Sequence, residues 1–248
     1  MSAPKVSIGM PVYNAQRYLR EALDSLRAQT LTDFEIVLSD NASTDATPDI
    51  CREYAARASR IKYHRNTTNL GVVANFNRAF ELSTGRYFKW AAYDDLHAPT
   101  YLERCAAVLD AEPSVAVCHC QTRSIDEHGH HRGEFPATFR LDVPSPVERF
   151  RRMIWTDAFP PIWGLFRAAQ VRRSNRFEPY MGSDRNFLAE MVLMGAVAYV
   201  PEPLFMLREH AGSYTASVKD YYQRLSWYAP GRCVPSWFQV KGCARGER

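Results

Sequence analysis

The stretch from Tyr87 to Asp95 reads Tyr-Phe-Lys-Trp-Ala-Ala-Tyr-Asp-Asp, a run of aromatic and small side chains that ends in two adjacent carboxylates. Its composition predicts a strand inside a sheet, with Asp94 and Asp95 at its C-terminal end. Open α/β sheets bind ligands at that edge, where Mg²⁺ typically joins one or two carboxylates to substrate phosphates. The alternative is that the two aspartates only cap the helix predicted for residues 99–111.

Before this stretch, short apolar segments alternate with amphipathic ones. Leu19, Leu23 and Leu26 recur at helical spacing, as expected for a helix that packs one face on a sheet. The predicted strands are residues 6–12, 34–38 and 61–64, and the predicted helices are residues 17–29, residues 47–59 and a third helix after Gly71. This alternation predicts an α/β fold with a parallel sheet, right-handed crossovers and helices on both faces.

Polar residues follow three of the predicted strands. Tyr13 and Asn14 follow the first, residues 40–45 (Asp-Asn-Ala-Ser-Thr-Asp) follow the second, and the two aspartates follow the fourth. Because the carboxyl ends of parallel strands meet at one edge, we expect a nucleotide-like ligand there. Neither G-x-G-x-x-G nor a P-loop sequence follows the first strand, which argues against those two nucleotide sites.

After Asp95 the elements stop alternating regularly. Helices are predicted at residues 99–111, at residues 147–155 and after residues 182–184, and strands at residues 114–122, 196–200 and 204–207. Residues 125–146 are polar and predicted to be irregular, and the chain from Lys219 onward is aromatic and basic. We therefore expect a mixed second half.

The composition excludes several classes of protein. The chain has 248 residues, of which 46% are hydrophobic and 23% charged, and its formal net charge is +4, so nothing calls for nucleic acid. No apolar run approaches the ~20 residues of a membrane span. With no apolar signal region before the first strand and six scattered cysteines, we expect a cytoplasmic protein. Cys118, Cys120 and the nearby histidines are interpreted as core thiols and a solvated loop rather than as a zinc site.

An ordered set of motifs resembles a known family. The motifs are residues 11–14 (Pro-Val-Tyr-Asn), residues 39–45, Asn69-Leu70-Gly71 ahead of Asn75, the Asp94-Asp95 pair, residues 182–184 and residues 207–213. Together they resemble the family 2 glycosyltransferases, which have the GT-A nucleotide-sugar fold. The resemblance implies a Rossmann-like, mostly parallel sheet flanked by helices, with a mixed acceptor-side half. It also implies an inverting transfer of a sugar from a nucleotide donor to an acceptor hydroxyl.

The resemblance implies a nucleotide pocket at the edge of the sheet. The residues that it places around the nucleotide are Pro11, Tyr13, Asn14, Asp40, Asn69, Gly71 and Asp94. Asp40 would accept a hydrogen bond from the base, most often uracil, since a carboxylate is an acceptor-only group that suits the ring N–H. The expected donor is therefore a UDP- or dTDP-linked sugar.

The resemblance also implies a metal site and a catalytic base. Asp95 and Asp94 would hold Mn²⁺ or Mg²⁺, which neutralises the charge that develops on the leaving diphosphate. Asp184 would be the general base, and its alternative role is to cap its own helix. Candidate diphosphate or acceptor contacts are Arg208, His210 and Trp163, although a histidine or tryptophan at such places is more often structural.

The chain departs from the family pattern at two places. Ala92 stands where many members have another acidic residue, and Ser183 stands where many have glutamate. The Gln/Arg-x-x-Arg-Trp segment of processive synthases is absent, which favours transfer of a single sugar. One alternative is a catalytically inactive nucleotide-sugar-binding protein. Another is a sugar nucleotidyltransferase, which would need a glycine-rich phosphate loop near the first strand.

The resemblance also predicts the organisation of the chain and its partners. We expect a nucleotide-sugar-binding half at residues 1–96, an acceptor-binding and catalytic-base half at residues 97–215, and a C-terminal extension at residues 216–248. The acceptor is expected to be a glycan or a lipid-linked glycan of cell-surface assembly. Arginines of residues 147–155 and the extension are candidates for peripheral contact with anionic lipid at the inner face of the membrane.

Overall fold

The first half of the chain builds the parallel part of a sheet, in a computed structural model that describes residues 3–135, 141, 143–154, 160–180 and 182–213. Its elements are β1 (Val6–Val12), α1 (Leu19–Arg27), β2 (Phe34–Asp40), α2 (Thr47–Arg57), β3 (Ile61–Arg65), α3 (Val72–Glu81) and β4 (Tyr87–Trp90). β1 pairs in parallel with both β2 and β4, and β2 pairs in parallel with β3. The predicted strand–helix alternation is confirmed.

The second half extends the same sheet with mixed pairing. Its elements are β5 (Leu96–His97), α4 (Tyr101–Ala111), β6 (Val115–Ile125), β7 (His131–Glu134), α5 (Pro146–Ile154), the 3₁₀ helix η1 (Pro160–Trp163), β8 (Leu165–Arg167), α6 (Ala168–Arg173), α7 (Ser183–Met194) and β9 (Ala196–Arg208). The strand order is β3-β2-β1-β4-β8-β6-β9-β5, with β7 beside β6. β8 runs antiparallel to β4 and β6, so it joins the two halves. The predicted fold class, with a mixed second half, is confirmed.

A hydrophobic core covers each face of the sheet. Leu23 of α1 and Tyr101 of α4 belong to one core, and Phe187 of α7 belongs to the other. Because strand side chains alternate between faces, Lys89 of β4 points toward the first core, while Trp90 lies in the second, 5.3 Å from the ring of Phe187. β4 is therefore buried on both sides, which explains its nearly continuous hydrophobic sequence.

Three predictions about the second half were wrong in detail. The two strands predicted at residues 196–200 and 204–207 are one strand, β9, whose register with β6 shifts near Pro201 and Pro203. Proline has no N–H for the ladder, so a bulge accommodates it and the strand continues. Part of the segment predicted to be irregular forms β7, which pairs with an extended β6, and α6 was not predicted.

Some predictions fall outside the described residues. The predicted extension, residues 216–248, is among them, and the boundary between residues 96 and 97 stays a prediction. Cys118 and Cys120 are buried core residues, as interpreted from the sequence. Among the described residues, the helices are all too short or too polar to cross a membrane.

Candidate functional site

The loops that follow β1 and β2 are tied together at the carboxyl edge of the sheet. The backbone N–H of Asn14 donates to Ser43 Oγ at 3.0 Å, and Asn14 Oδ1 accepts from the N–H of Thr44 at 2.9 Å. Asn14 has a φ of 48°, a left-handed conformation that asparagine tolerates. Pro11 is buried in β1, and the side chain of Tyr13 is exposed. Three of the predicted nucleotide-binding residues therefore lie at this edge.

Asp40 lies beneath this edge rather than on its surface. Its side chain is fully buried, Oδ1 accepts from the N–H of Ser43 at 2.9 Å, and Oδ2 accepts from the hydroxyl of Tyr63 at 2.7 Å. Burial raises the pKa of Tyr63, and its hydrogen bond to Asp40 adds to that effect. In this conformation Asp40 supports the loop, and its hydrogen bond to a nucleobase stays a prediction.

A cluster of asparagines holds the neighbouring loop, and only part of it was predicted. Asn41 Nδ2 donates to Asn69 Oδ1 at 2.7 Å and to the carbonyl of Gly71 at 3.2 Å, and Asn41 Oδ1 accepts from the N–H of Leu70 at 2.8 Å. Asn66 Nδ2 donates to Asn41 Oδ1 at 3.2 Å. Asn69 and Gly71, predicted near the base or ribose, thus lie in one network with Asn41. Four asparagines between residues 66 and 77 were the available signal.

Asp94 and Asp95 follow β4 at the same edge. Asp95 is buried, and its Oδ1 accepts from the backbone N–H of Arg208 at 2.9 Å. Burial raises the pKa of Asp95 well above its ordinary value, and the neighbouring Asp94 carboxylate acts in the same direction. Bringing two carboxylates this close, with one buried, favours a cation between them.

Arg208, the last residue of β9, connects this pair to two other segments, α1 and the turn after β6. Its guanidinium is buried: Nε donates to the carbonyl of Asp94 at 2.8 Å, and Nη2 donates to Glu21 Oε2 at 2.6 Å. Nη1 donates to the carbonyls of Asp126 at 3.4 Å and Glu127 at 3.2 Å. All four of these hydrogen bonds are to the protein, so the structure gives Arg208 an architectural role, and its predicted diphosphate contact stays untested.

His210 contacts the acidic pair directly. Its Nε2 lies 3.0 Å from Asp94 Oδ2, and its Nδ1 accepts from the N–H of Gly212 at 3.1 Å. A neutral imidazole that accepts at Nδ1 carries its proton on Nε2, so His210 donates to Asp94 in this arrangement. Tyr18, which was not predicted, packs against both groups, with its ring 4.8 Å from the His210 ring and 4.7 Å from the Arg208 guanidinium.

Tyr93 directly precedes the acidic pair and is largely shielded from solvent. Burial raises the pKa of Tyr93 to about 12, and the carboxylates of Asp94, Asp45 and Asp95 act in the same direction. Asp45 and the acidic pair therefore lie within electrostatic range of one phenol. The polar residues that follow β1, β2 and β4 converge on one side of the sheet, as the sequence predicted.

Comparison with known proteins agrees with this arrangement. The sequence profile of Glycosyl transferase family 2 matches residues 7–170. The chain belongs to this family. The match includes the strands and loops that carry the nucleotide and metal candidates but stops before Asp184, Arg208 and His210.

The chain is also similar to a curated relative and to two solved structures. The putative glycosyltransferase EpsH of Bacillus subtilis is 27% identical over 91% of this chain and 66% of its own length. Staphylococcus aureus TarS 1–349, solved with UDP-GlcNAc, is 23% identical with a TM-score of 0.73, over 90% of this chain and 64% of that one. The mannosyltransferase PcManGT of Pyrobaculum calidifontis, solved with GDP-Man and Mn²⁺, is 21% identical with a TM-score of 0.59, over 86% and 59%. These structures show the fold. The chain spans 62% to 66% of the first curated relatives it matches.

The described residues offer few candidate ligands for a metal ion. Among the described residues, no group of three or more His, Cys, Asp or Glu side chains is arranged to hold a metal ion. Asp94 and Asp95 do supply the oxygen atoms that Mg²⁺ and Mn²⁺ prefer, and within the described ranges Asp95 accepts one hydrogen bond, from the N–H of Arg208. The residues present therefore fit a cation that takes its remaining ligands from phosphates and water.

Asp184 and Trp163, the remaining two residues that the resemblance singled out, lie on elements of the second half. Asp184 is in the first turn of α7, whose N-cap position is Gly182, and its Oδ1 accepts from the N–H of Arg185 at 2.9 Å. It is thus not the N-cap residue; its carboxylate is partly exposed, and its role as a base stays a prediction. Trp163 ends η1 and is half-buried between the two cores, where its ring centroid lies 6.3 Å from that of Phe205.

Proposed function

We propose that the chain is the catalytic part of an inverting glycosyltransferase that moves a single sugar from a nucleoside-diphosphate sugar to an acceptor hydroxyl. The observation that carries the proposal is the convergence of Asp94, Asp95 and His210 with the loops after β1 and β2 at one edge of the sheet. Family membership supports the reaction class. TarS, a protein of the same fold, is solved with UDP-GlcNAc, which supports a uridine nucleotide donor.

Asp95 and Asp94 would hold Mn²⁺ or Mg²⁺ against the donor diphosphate. A bound cation stabilises the negative charge that develops on the leaving nucleoside diphosphate. The backbone N–H of Arg208 donates to the Asp95 carboxylate, and the Arg208 guanidinium donates to the backbone carbonyl of Asp94. These two contacts would hold the acidic pair in place for metal binding. PcManGT, solved with Mn²⁺, supports the choice of metal.

Asp184 would accept the proton of the acceptor hydroxyl as the new glycosidic bond forms. A carboxylate suits this role because it is ionised at neutral pH and can accept the proton as the oxygen attacks. Inversion requires the base on the face of the sugar opposite the leaving group, and α7 lies on a different part of the sheet from β1 and β2. The amide contact to Arg185 leaves Oδ2 of Asp184 for the acceptor.

We further propose a glycan or lipid-linked acceptor of the cell envelope, met at the inner face of the membrane. The support is α5, whose side chains Val147, Phe150 and Ile154 are exposed and apolar. Arg151 and Arg152 on the same helix are exposed as well, whereas Arg149 is buried and donates to the carbonyl of Val192. An apolar face flanked by cations suits an amphiphilic, anionic acceptor.

The decisive experiment is hydrolysis and transfer from a panel of nucleotide sugars, with Mn²⁺, with Mg²⁺ and with chelator. We expect turnover that needs metal, and about 100-fold lower kcat in Asp95→Asn and in Asp184→Asn. Asp49→Asn is the matched control, because Asp49 is an exposed residue of α2. Nucleotide binding without turnover of any donor in the presence of candidate acceptors would instead support an inactive binding protein.

A further inference from the structure

Lys89, in the middle of β4, is a fully buried lysine that the proposed reaction does not use directly. Its Nζ donates to the carbonyl of Trp163, and the hydroxyl of Tyr101 donates to the same oxygen at 2.8 Å. The Tyr101 ring lies 4.7 Å from Nζ and the Phe205 ring 5.1 Å away. The ammonium therefore sits among aromatic faces with one carbonyl as its described hydrogen-bond acceptor.

This arrangement is unfavourable for stability. Burial lowers the pKa of Lys89 to about 8, and the nearby thiols of Cys120 and Cys105 and the carboxylate of Asp95 only partly oppose that effect. An unbranched apolar side chain such as methionine would fill the same space without a buried charge. A fully buried lysine with one described hydrogen-bond acceptor points to a role in function, because departures from favourable packing concentrate at functional sites.

The hydrogen bond of Lys89 links the two halves of the proposed active site. β4 runs on to Asp94 and Asp95, while Trp163 is the last residue of η1. η1 packs against β4 and against α7, the helix whose first turn carries Asp184. The contact from Lys89 to Trp163 therefore lies on a short path between the acidic pair and the proposed base.

We propose that Lys89 is a positioning residue that holds η1 against β4, and through η1 sets the place of Asp184 relative to Asp94 and Asp95. The catalytic part of this inference rests on the proposed function. Lys89 contacts neither donor nor acceptor; it acts through the backbone of Trp163. Tyr101 shares the carbonyl and acts in the same direction.

The first test measures whether Lys89 holds η1, and it needs no activity. Hydrogen exchange is followed by mass spectrometry in peptides that contain the N–H of Gly164, which donates to the carbonyl of Pro161 at 2.9 Å. We expect about 10-fold faster exchange there in Lys89→Met. Lys5→Met, which removes a surface pair with Asp110, is the control and should leave these peptides unchanged. Unchanged exchange in Lys89→Met overturns the proposal.

A double-mutant cycle sharpens this test. Tyr101→Phe alone leaves the Trp163 carbonyl with Lys89 as its donor, and Lys89→Met alone leaves it with Tyr101. The double variant leaves the buried carbonyl without either donor, so exchange near Gly164 should rise by more than the product of the two single effects. Independent, multiplicative effects would show that the two side chains do not hold the same oxygen, and would overturn the proposal.

The second test separates positioning from a merely structural role. With a donor that the wild-type protein turns over, Lys89→Met should lower kcat about 10-fold to 100-fold and leave the donor KM within about two-fold. The same variant should unfold at an equal or higher denaturant concentration. Loss of kcat together with loss of stability, or an unchanged kcat, overturns the proposal. If the wild-type protein turns over no donor, the proposed function fails, and the exchange experiment still decides whether Lys89 holds η1.

Discussion

The replacement of Lys89 by methionine should stabilise the protein at neutral pH, and the size of the gain should depend on pH. In the unfolded chain this amine has its ordinary pKa of 10.5, whereas burial lowers the pKa of Lys89 in the folded protein to about 8. Between these values the unfolded chain binds a proton that the folded chain does not. The free energy of unfolding of the wild type therefore rises with pH in that window, and below it the full cost of the buried charge is present.

The expected magnitude follows from the two pKa values. A fall from 10.5 to about 8, at about 1.4 kcal/mol per pKa unit, is a cost of about 3 kcal/mol at neutral pH. Loss of the hydrogen bond to Trp163 in Lys89→Met offsets about 1 kcal/mol, since Tyr101 still donates to that carbonyl. The variant should therefore be more stable by about 2 kcal/mol near pH 7 and less stable by about 1 kcal/mol above about pH 10.5.

Urea denaturation of both proteins across this pH range, under reducing conditions, checks the prediction. Other buried groups also titrate: burial raises the pKa of Tyr101 and lowers the pKa of His97, and the hydrogen bond with Cys118, together with burial, raises the pKa of Cys105. These groups are common to both proteins, so the difference between the two curves reports Lys89 together with its electrostatic coupling to neighbours such as His97 and Cys105. The reasoning would be refuted if the difference in free energy of unfolding between the two proteins were constant from about pH 7 to about pH 10.5. It would also be refuted if Lys89→Met were less stable than the wild type near pH 7.

Three further substitutions test other parts of the structure. Burial raises the pKa of Glu35, but its hydrogen bonds, led by that from Lys62, outweigh burial and leave this pKa below its ordinary 4.5. Glu35→Gln should therefore lower the free energy of unfolding at neutral pH, and this loss should vanish at acid pH, where Glu35 of the wild type is protonated. Urea titrations of both proteins at acid and at neutral pH measure the difference. Gly164→Ala places a Cβ 2.7 Å from a side-chain carbon and 2.9 Å from two carbonyl oxygens, so it should cost about 1–3 kcal/mol in unfolding free energy, whereas Gly133→Ala meets no atom within 4 Å and should be neutral. Arg208→Lys keeps the charge but not the fork of donors, so it should lower stability by about 2 kcal/mol; an unchanged thermal midpoint would contradict the architectural role.

The first half of the fold could be predicted because its signals are local. β1, β2 and β4 are apolar runs of the length of a strand, and Leu19, Leu23 and Leu26 lie at helical spacing in α1. The polar residues at the strand ends follow from the same pattern, since parallel strands direct their carboxyl ends to one edge. Asp94 and Asp95 were thus placed at the correct edge from sequence alone.

The contacts that assemble the site could not be predicted because they join distant segments. Arg208 donates to Glu21, which lies 187 positions earlier, and to the backbone of residues 94, 126 and 127. From the sequence alone Arg208 was a candidate contact to a ligand, and the structure shows that its guanidinium donates to groups of the protein. The same holds for Asp40, whose buried hydrogen bonds to Ser43 and Tyr63 have no pattern in the sequence.

Three of the buried charged side chains in the described part of the chain lie where its two halves meet. Lys89 comes from β4, Asp95 from the turn after it, and Arg208 from the end of β9, and all three side chains are buried. Apolar residues would pack there at lower cost, but they would tolerate small shifts between the halves. A charged group needs its partners at fixed distances, as Arg208 does with Asp94 and Asp95. We therefore hypothesise that these charges trade stability for a fixed distance between the acidic pair and α7, on which transfer from donor to acceptor depends.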